Sequence, residues 1–329
     1  MRVPSLTVAI PTWERRDTVV ETVGLALDAI GDLPIEVLVA DNASSDGTVG
    51  ALEARFGTAC RVIAGGSNGG FSANFERLVE HARAPYLMLL SDEETLAPRA
   101  TLERLLGWLE RTAPDVAVAG PNRGLTGERE LRPAEFWDAM NYVSGCLFRM
   151  SSLRLSRERL MDAPALPRFA VLWELWPMFP IAVDVRVRGG SCRTYPETLY
   201  DQRVTLPTGI ENDRFGPEGE RHAAEGSDRR RARYKTLAAR LIQAEAMAEL
   251  FAFERETADG ASAARRARAF DDWLESDLGR RVLNKIGQEH PALAGPIRRS
   301  VRREVSLRTT LVRRLRRLAD RSGLRRRGG

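Results

Sequence analysis

The sequence predicts an α/β fold, a mostly parallel twisted sheet with helices on both faces, extended by a helical C-terminal region. Three observations carry that prediction. Short apolar runs alternate with stretches of helical spacing through the N-terminal part of the chain, as βαβ units require. The runs are mostly apolar rather than strictly alternating, which marks strands covered on both faces. Polar and acidic clusters stand directly at their ends, where open parallel sheets bind ligands.

Taken in order, Leu6 to Ile10 is the first apolar run, ended by Pro11 and Thr12. Val20, Val23, Leu27 and Ile30 then recur at helical spacing and predict a helix over 17–30. A second strand over 35–40 stops at the polar stretch Asp41 to Thr48, and helix-like sequence continues to Phe56. Arg61 to Ala64 forms a third strand, followed by the glycine-rich turn Gly65 to Gly70 and a helix over 71–82. The fourth strand, Tyr86 to Leu90, ends abruptly at Ser91-Asp92-Glu93-Glu94. This order predicts right-handed crossovers, with the loops after the first, second and fourth strands converging on one edge.

Clustered carboxylates repel one another unless a cation or a shared proton relieves them, so 92–94 reads as a divalent-metal site. The competing reading is a helix start, with Ser91 as its cap and acids in the first turn. Asp41 and Asp92 behind two buried strands, beside the Pro11-Thr12 turn, suggest a nucleotide pocket.

Further strands near 116–120, 142–149 and 191–200 complete a first domain over 1–225. Proline, glycine and charge dominate 205–228, read as a lid or a linker. Tyr234, Leu237, Leu241, Met247, Leu250 and Phe251, then Phe270, Trp273, Leu274 and Leu278, keep helical spacing and predict a helical subdomain over 226–296. The tail over 297–329 places Val301, Val305, Leu311, Val312, Leu315 and Leu318 at spacings that suit one helical face, surrounded by arginine.

A chain of 329 residues with 43% hydrophobic and 29% charged residues fits a globular protein of one large domain plus an appendage. The net charge of +5 is uneven: 298–329 holds thirteen arginines and two acids, 13 − 2 = +11, leaving 5 − 11 = −6 for the rest. A basic amphipathic helix reads as an anchor on anionic lipid, against a tail that is solvated or packed on a second subunit of a homo-oligomer. Without aromatic interleaving it is weak as a nucleic-acid site, and none is expected. The sequence shows no apolar run of membrane-spanning length and no signal peptide, so a cytoplasmic protein, peripheral at the membrane face, is expected. Cys60, Cys146 and Cys192, like His81, His222 and His290, lie too far apart for a zinc motif and are expected to be unligated.

A dinucleotide site would want G-x-G-x-x-G directly after the first strand, and a P-loop would want G-x-x-x-x-G-K-[ST]. Neither is present. Four blocks instead resemble the family 2 glycosyltransferases of GT-A fold: Val8 to Arg15, Val39 to Thr48, Asn68 to Phe71 with Asn74, and Leu90 to Glu94, in family order and spacing over roughly residues 5–120. Tyr142 to Phe148 is similar to the later core strand of the abequosyltransferase-like subgroup.

The resemblance implies a nucleoside-diphosphate sugar donor, UDP or dTDP favoured, and a saccharide, lipid-linked or small-molecule acceptor. Pro11 and Thr12, with Glu14 nearby, would line the base and ribose; Asp41 would accept from the base N–H. Asn68, Gly69 and Phe71 would pack beside the nucleotide, with Ser91 and Asp92 at the diphosphate end. Asp92 and Glu94, with Glu93 as the alternative, would hold Mn²⁺ or Mg²⁺ against the diphosphate. The subgroup usually has Asp where Glu93 and Glu94 stand, and the family more often has Asn at Glu14. The implied catalytic base of an inverting transfer is Glu174, Asp138 or Asp184; Glu174 is preferred because the apolar stretch Phe169 to Trp176 would raise its pKa. Rival readings are a sugar nucleotidyltransferase, which would want a basic glycine-rich loop after the first strand, and a non-catalytic module that binds nucleotide-sugars.

Overall fold

A computed structural model describes residues 3–161, 166–202 and 237–274. The N-terminal half runs β1 (Leu6–Thr12), α1 (Arg16–Ile30), β2 (Ile35–Asp41), α2 (Thr48–Phe56), β3 (Cys60–Ala64), α3 (Gly70–His81) and β4 (Tyr86–Leu89). After the acidic turn come β5 (Glu94–Leu96), α4 (Arg99–Thr112), β6 (Val116–Ala119), β7 (Arg129–Glu130), α5 (Phe136–Met140) and β8 (Cys146–Arg149). Helices α6 (Met150–Met161), α7 (Leu166–Leu175) and α8 (Met178–Val187) precede β9 (Cys192–Tyr195) and β10 (Tyr200–Gln202), and α9 (Leu237–Glu256) and α10 (Gly260–Trp273) follow.

Eight strands form one sheet in the order β3-β2-β1-β4-β8-β6-β9-β7, and β10 and β5 form a separate pair. Strands β3, β2, β1 and β4 pair in parallel, as do β6 and β9; β8 is antiparallel to both neighbours. Its reversal matters for the site. The carboxyl ends of β1, β2, β4 and β6 share one edge, and β8, running the other way, delivers the residues that precede it to that same edge.

Strand residues alternate between two cores. Leu6, Val8, Ile10, Val37, Val39, Met88 and Leu147 meet α1, α2 and α4, while Ala9, Leu38, Ala40, Leu87, Leu89, Phe148 and Val118 meet α3 and the later helices. Both faces are therefore covered, which is why the middles of these strands are mostly apolar. The C-terminal helices belong to the second core: Met247, Leu250, Phe251, Phe270 and Trp273 are buried in it, and the Phe270 ring meets Phe136 edge-on at 5.0 Å.

Two predicted strands come out shorter. The one expected over 142–149 begins only at Cys146, because Gly145 has φ +73° and turns the chain out of the sheet. The one expected over 191–200 is divided into β9 and β10, with Pro196, which has no N–H for a ladder, in the gap. The lid or linker over 205–228, the boundary at 225–226, Tyr234, Leu278 and the tail over 297–329 lie outside the described residues. Among the described residues no helix is long and apolar enough to cross a membrane. All three cysteines are buried and unpaired.

Candidate active site

Thr12, the last residue of β1, joins three loops. Its hydroxyl donates to Asp92 Oδ2 at 2.8 Å; its carbonyl accepts from the Asn42 backbone N–H at 3.0 Å and from Asn74 Nδ2 at 3.0 Å. A central strand ending in Thr can do this because its terminal side chain and carbonyl both project over the sheet edge. The expected convergence of the turns after β1, β2 and β4 is realised through this one residue.

Asp92 is buried and fixed from several sides. Besides Thr12, the Thr22 hydroxyl of α1 donates to its main-chain carbonyl at 2.7 Å, and Arg15 Nη1 donates to Oδ1 at 2.7 Å. Burial pushes the Asp92 carboxyl up, Arg15 and Thr12 oppose that, and neighbouring Glu93 adds to it. The same Arg15 Nη1 donates to Glu93 Oε2 at 2.8 Å. Two carboxylates from adjacent residues therefore face a single positively charged nitrogen. Expectation paired Asp92 with Glu94; the geometry brings Asp92 and Glu93 to one cationic partner.

Glu94 turns elsewhere because it starts β5, where the side chain leaves the acidic turn. Its Oε1 accepts from the Tyr142 hydroxyl at 2.5 Å, and its Oε2 is buried without a hydrogen-bond partner. Burial raises the Glu94 pKa, and the Ser144 and Tyr142 hydroxyls nearby pull it down. Ser144 Oγ also accepts from the Ser91 N–H at 2.7 Å, which ties the start of the acidic turn to the chain before β8. Behind Tyr142, the Arg123 guanidinium lies against the rings of Tyr142 and Tyr200 at 5.2 and 5.8 Å and donates to the Ser144 carbonyl at 2.6 Å. This cation holds the residues that hold Glu94.

Among the described residues no three of His, Cys, Asp and Glu converge as a metal cage. What the turn offers is two carboxylates already sharing a cation and a third with a buried unpartnered oxygen. Hard oxygen donors of this kind fit Mg²⁺ or Mn²⁺, with Arg15 standing where a cation would be shared.

On the β2 side, Asp41 Oδ2 accepts from the Ser44 N–H at 2.8 Å, while its Oδ1 is buried with no partner. An acceptor left over at a strand end suits a base N–H. Asn42 binds the glycine-rich turn to this edge: Nδ2 donates to Asn68 Oδ1 at 2.5 Å and to the Gly70 carbonyl at 3.1 Å, and Oδ1 accepts from the Gly69 N–H at 3.2 Å and Arg77 Nη1 at 3.1 Å. Asn68 and Gly69 are exposed and Phe71 is half-buried against Phe75. Pro11 stays in the sheet opposite Ala40. The Glu14 carboxylate is directed to the Ser45 N–H at 2.7 Å and so braces the β2 loop, which accounts for an acid at this place.

The three expected bases are not brought together. Glu174 is half-buried on α7 and Asp138 half-buried on α5. Asp184 is fully buried on α8, where Oδ2 accepts from Ser156 Oγ at 2.6 Å and Arg188 Nε at 2.7 Å, and Arg159 Nε lies 3.2 Å from Oδ1. A carboxylate so enclosed fastens α6 to α8 and is not placed to meet an acceptor.

Residues 7–176 match the family model described as Glycosyl transferase family 2. That is more than half of the chain. The chain belongs to glycosyl transferase family 2. No curated protein sequence matches it. Among solved structures it is similar to a mannosyltransferase, PcManGT, from Pyrobaculum calidifontis in complex with GDP-Man and Mn²⁺, at 16% identity and TM-score 0.51 over 95% of this chain and 84% of that one. It is also similar to S. aureus TarS, at 13% identity and TM-score 0.49, over 82% of this chain and 54% of that one. The likeness to PcManGT concerns the fold, a mixed α/β arrangement with a mostly parallel sheet. The family 2 match makes the chain a glycosyltransferase, and Thr12, Asp41 and Asp92 are the members of its edge that sequence reasoning found. Arg15, Asn42, Asn74 and Tyr142 stood in the family-like blocks but were given no role, and Arg77 and Arg123 were not singled out. Asn42 carried a further signal, its place beside Asp41 at a strand end; Arg77 and Arg123 carried none in a chain so rich in arginine.

Proposed function

We propose that the protein transfers a sugar, with inversion, from a nucleoside-diphosphate sugar to an acceptor hydroxyl with the help of a divalent cation. The observation that carries this reading is Thr12, which fastens the Asp41-Asn42 loop and Asp92 into one pocket floor. Asp41 Oδ1 would accept from the base N–H, a demand that UDP and dTDP meet. The neighbour of like fold that holds GDP-Man with Mn²⁺ supports a nucleotide-sugar and a metal side by side. Asp92 and Glu93 would hold the cation, with Glu94 Oε2 as the remaining acidic oxygen. Bound there, Mn²⁺ or Mg²⁺ supplies charge neutralisation for the leaving nucleoside diphosphate.

The chain's own residues do the rest. Glycines 69 and 70 let backbone approach the nucleotide, Asn42 keeps that turn against the sheet edge, and Glu174 takes the acceptor proton as its oxygen attacks the anomeric carbon. The acceptor is a saccharide, a lipid-linked sugar or a small molecule, and the likeness of 142–148 to the later core strand of the abequosyltransferase-like subgroup supports a role in polysaccharide, glycolipid or natural-product glycoside synthesis. The tail over 297–329 serves as an anchor on anionic membrane, to be tested by truncation after Pro296 and liposome sedimentation.

The deciding experiment is a thermal-shift panel of UDP-, dTDP- and GDP-sugars with and without Mn²⁺, followed by analysis of the products. Metal-dependent stabilisation and release of nucleoside diphosphate are expected. Formation of a nucleoside triphosphate and a sugar phosphate from added pyrophosphate would instead establish a nucleotidyltransferase, and binding without turnover a non-catalytic module.

A further inference from the structure

We infer that Arg15 is a displaceable internal counter-ion: it neutralises Asp92 and Glu93 in the unliganded protein, yields both to a divalent cation, and turns to the diphosphate of the donor. This rests on the reading of 92–94 as a cation site. Its grounds are geometric. One nitrogen, Arg15 Nη1, lies 2.7 Å from Asp92 Oδ1 and 2.8 Å from Glu93 Oε2. Both oxygens therefore face a common point, and a divalent ion with ligand distances of about 2.0–2.5 Å would need only a small contraction of the pair.

The two sides of this contact differ in freedom. Asp92 is held by the Thr12 hydroxyl at its other oxygen and by Thr22 at its carbonyl, so it stays in place whichever cation it faces. Arg15 lies in the turn between β1 and α1, where Glu14 has φ +52°, and its side chain keeps 16% of its surface exposed. Its guanidinium thus has a path out along a long flexible stem. A guanidinium and a divalent ion cannot share two carboxylates without strong mutual repulsion, so one must leave. A planar guanidinium released beside a diphosphate has a geometrically matched, doubly charged partner.

Arg15 then links two binding events. Metal entry costs the Arg15 ion pairs; the donor's phosphates return that cost by accepting the freed guanidinium. Mn²⁺ and nucleotide should strengthen each other's binding, reciprocally. Removing the charge should break the link in a defined way: the metal binds more easily alone, and the nucleotide gains less from it.

Mn²⁺ binding to the full chain, followed by titration calorimetry and by the electron paramagnetic resonance of free Mn²⁺, tests this with and without UDP. The set is wild type, Arg15→Gln, Arg15→Lys and Glu93→Gln, each checked for folding by circular dichroism. Expected is about 10-fold tighter Mn²⁺ binding by R15Q without UDP, loss of most of the UDP-dependent gain, and an intermediate result for R15K. Mn²⁺ affinity in R15Q equal to or weaker than wild type, with E93Q impaired, would overturn the role of Arg15 and leave the cation site standing. Absence of Mn²⁺ binding in wild type but binding in R15Q would support the inference. Absence in both, with E93Q indistinguishable, would overturn it together with the cation site and make Arg15 a permanent resident.

Discussion

The Tyr142 hydroxyl donates to Glu94 Oε1 at 2.5 Å and joins residues 48 positions apart. Burial already lifts the Glu94 pKa and this donor restrains it, so Tyr142→Phe lifts it further. A transfer that needs ionised Glu94 should then show the acid limb of its kcat/KM profile moved to higher pH in the variant, with activity regained at more alkaline pH. The folded protein holds this proton more tightly than the unfolded chain, so stability falls as pH climbs from the ordinary carboxylate range through the raised value, more so in the variant. A pH–rate profile and metal-free melting curves check both; superimposable profiles would rule out the link.

Asn42→Ala deletes three hydrogen bonds between the β2 edge and the glycine-rich turn and a fourth from Arg77 of α3. Several of the groups left behind can reach water, so the cost is about 1–3 kcal/mol rather than the sum. UDP affinity by calorimetry should fall about 10-fold, corresponding to about 1.4 kcal/mol, while the m-value of urea unfolding stays constant.

Gly145→Ala places a methyl group 2.8 Å from Tyr200 Cε1 at a position with φ +73°. Left-handed backbone costs a non-glycine residue about 1–3 kcal/mol, and the clash displaces Tyr200 from Arg123. Both a lower melting temperature and reduced turnover are expected. A variant as stable as the parent would mean that the turn before β8 is looser than the structure shows.

Far from the site, Glu254 of α9 is fully buried 3.1 Å from Arg159 Nη2, and Arg159 in turn lies beside Asp184. Burial, reinforced by the Asp184 charge, pushes the Glu254 carboxyl up to about 8. The folded chain therefore holds this proton more tightly than the unfolded chain, so the stability it contributes is full only below the ordinary carboxylate range and is lost as pH rises from there through the raised value. Glu254→Gln should flatten the fall in melting temperature between the ordinary carboxylate range and about pH 8. An unchanged slope over that range would assign the fall to other groups.

The sheet was legible in the sequence because its strands are buried on both faces, and nothing but a core strand needs Val8-Ala9-Ile10 or Leu87-Met88-Leu89 without polar relief. Ends that rest on backbone geometry were not: Gly145 reads as one glycine among many until its φ is known, and Pro196 lay inside a stretch whose Thr194, Tyr195, Thr198 and Tyr200 favour one strand. Within the acidic turn, composition could name three acids but not their directions, since Glu93 lies in a turn and Glu94 begins a strand. Asp184 shows the opposite error. An acid in an apolar helix can be a perturbed base or the centre of an ion-pair cluster; Arg188 stands at the i+4 spacing of such a pair, but Ser156 and Arg159 come from α6, which no spacing rule connects to Asp184.

The short pairing of β5 with β10 has a consequence for how the enzyme comes into being. Glu94 is opposite Gln202 and Leu96 opposite Tyr200, so the far end of the acidic turn is stitched by chain synthesised much later. A ribosome-bound chain stopped before residue 200 can already possess the partners of β1 to β4, yet the far end of its acidic turn has no finished frame. Asp92 and Glu93 can meet Arg15, Thr12 and Thr22 as soon as they emerge, because all three partners are made before them. Glu94 alone, at the start of β5, waits for a strand synthesised about a hundred residues later.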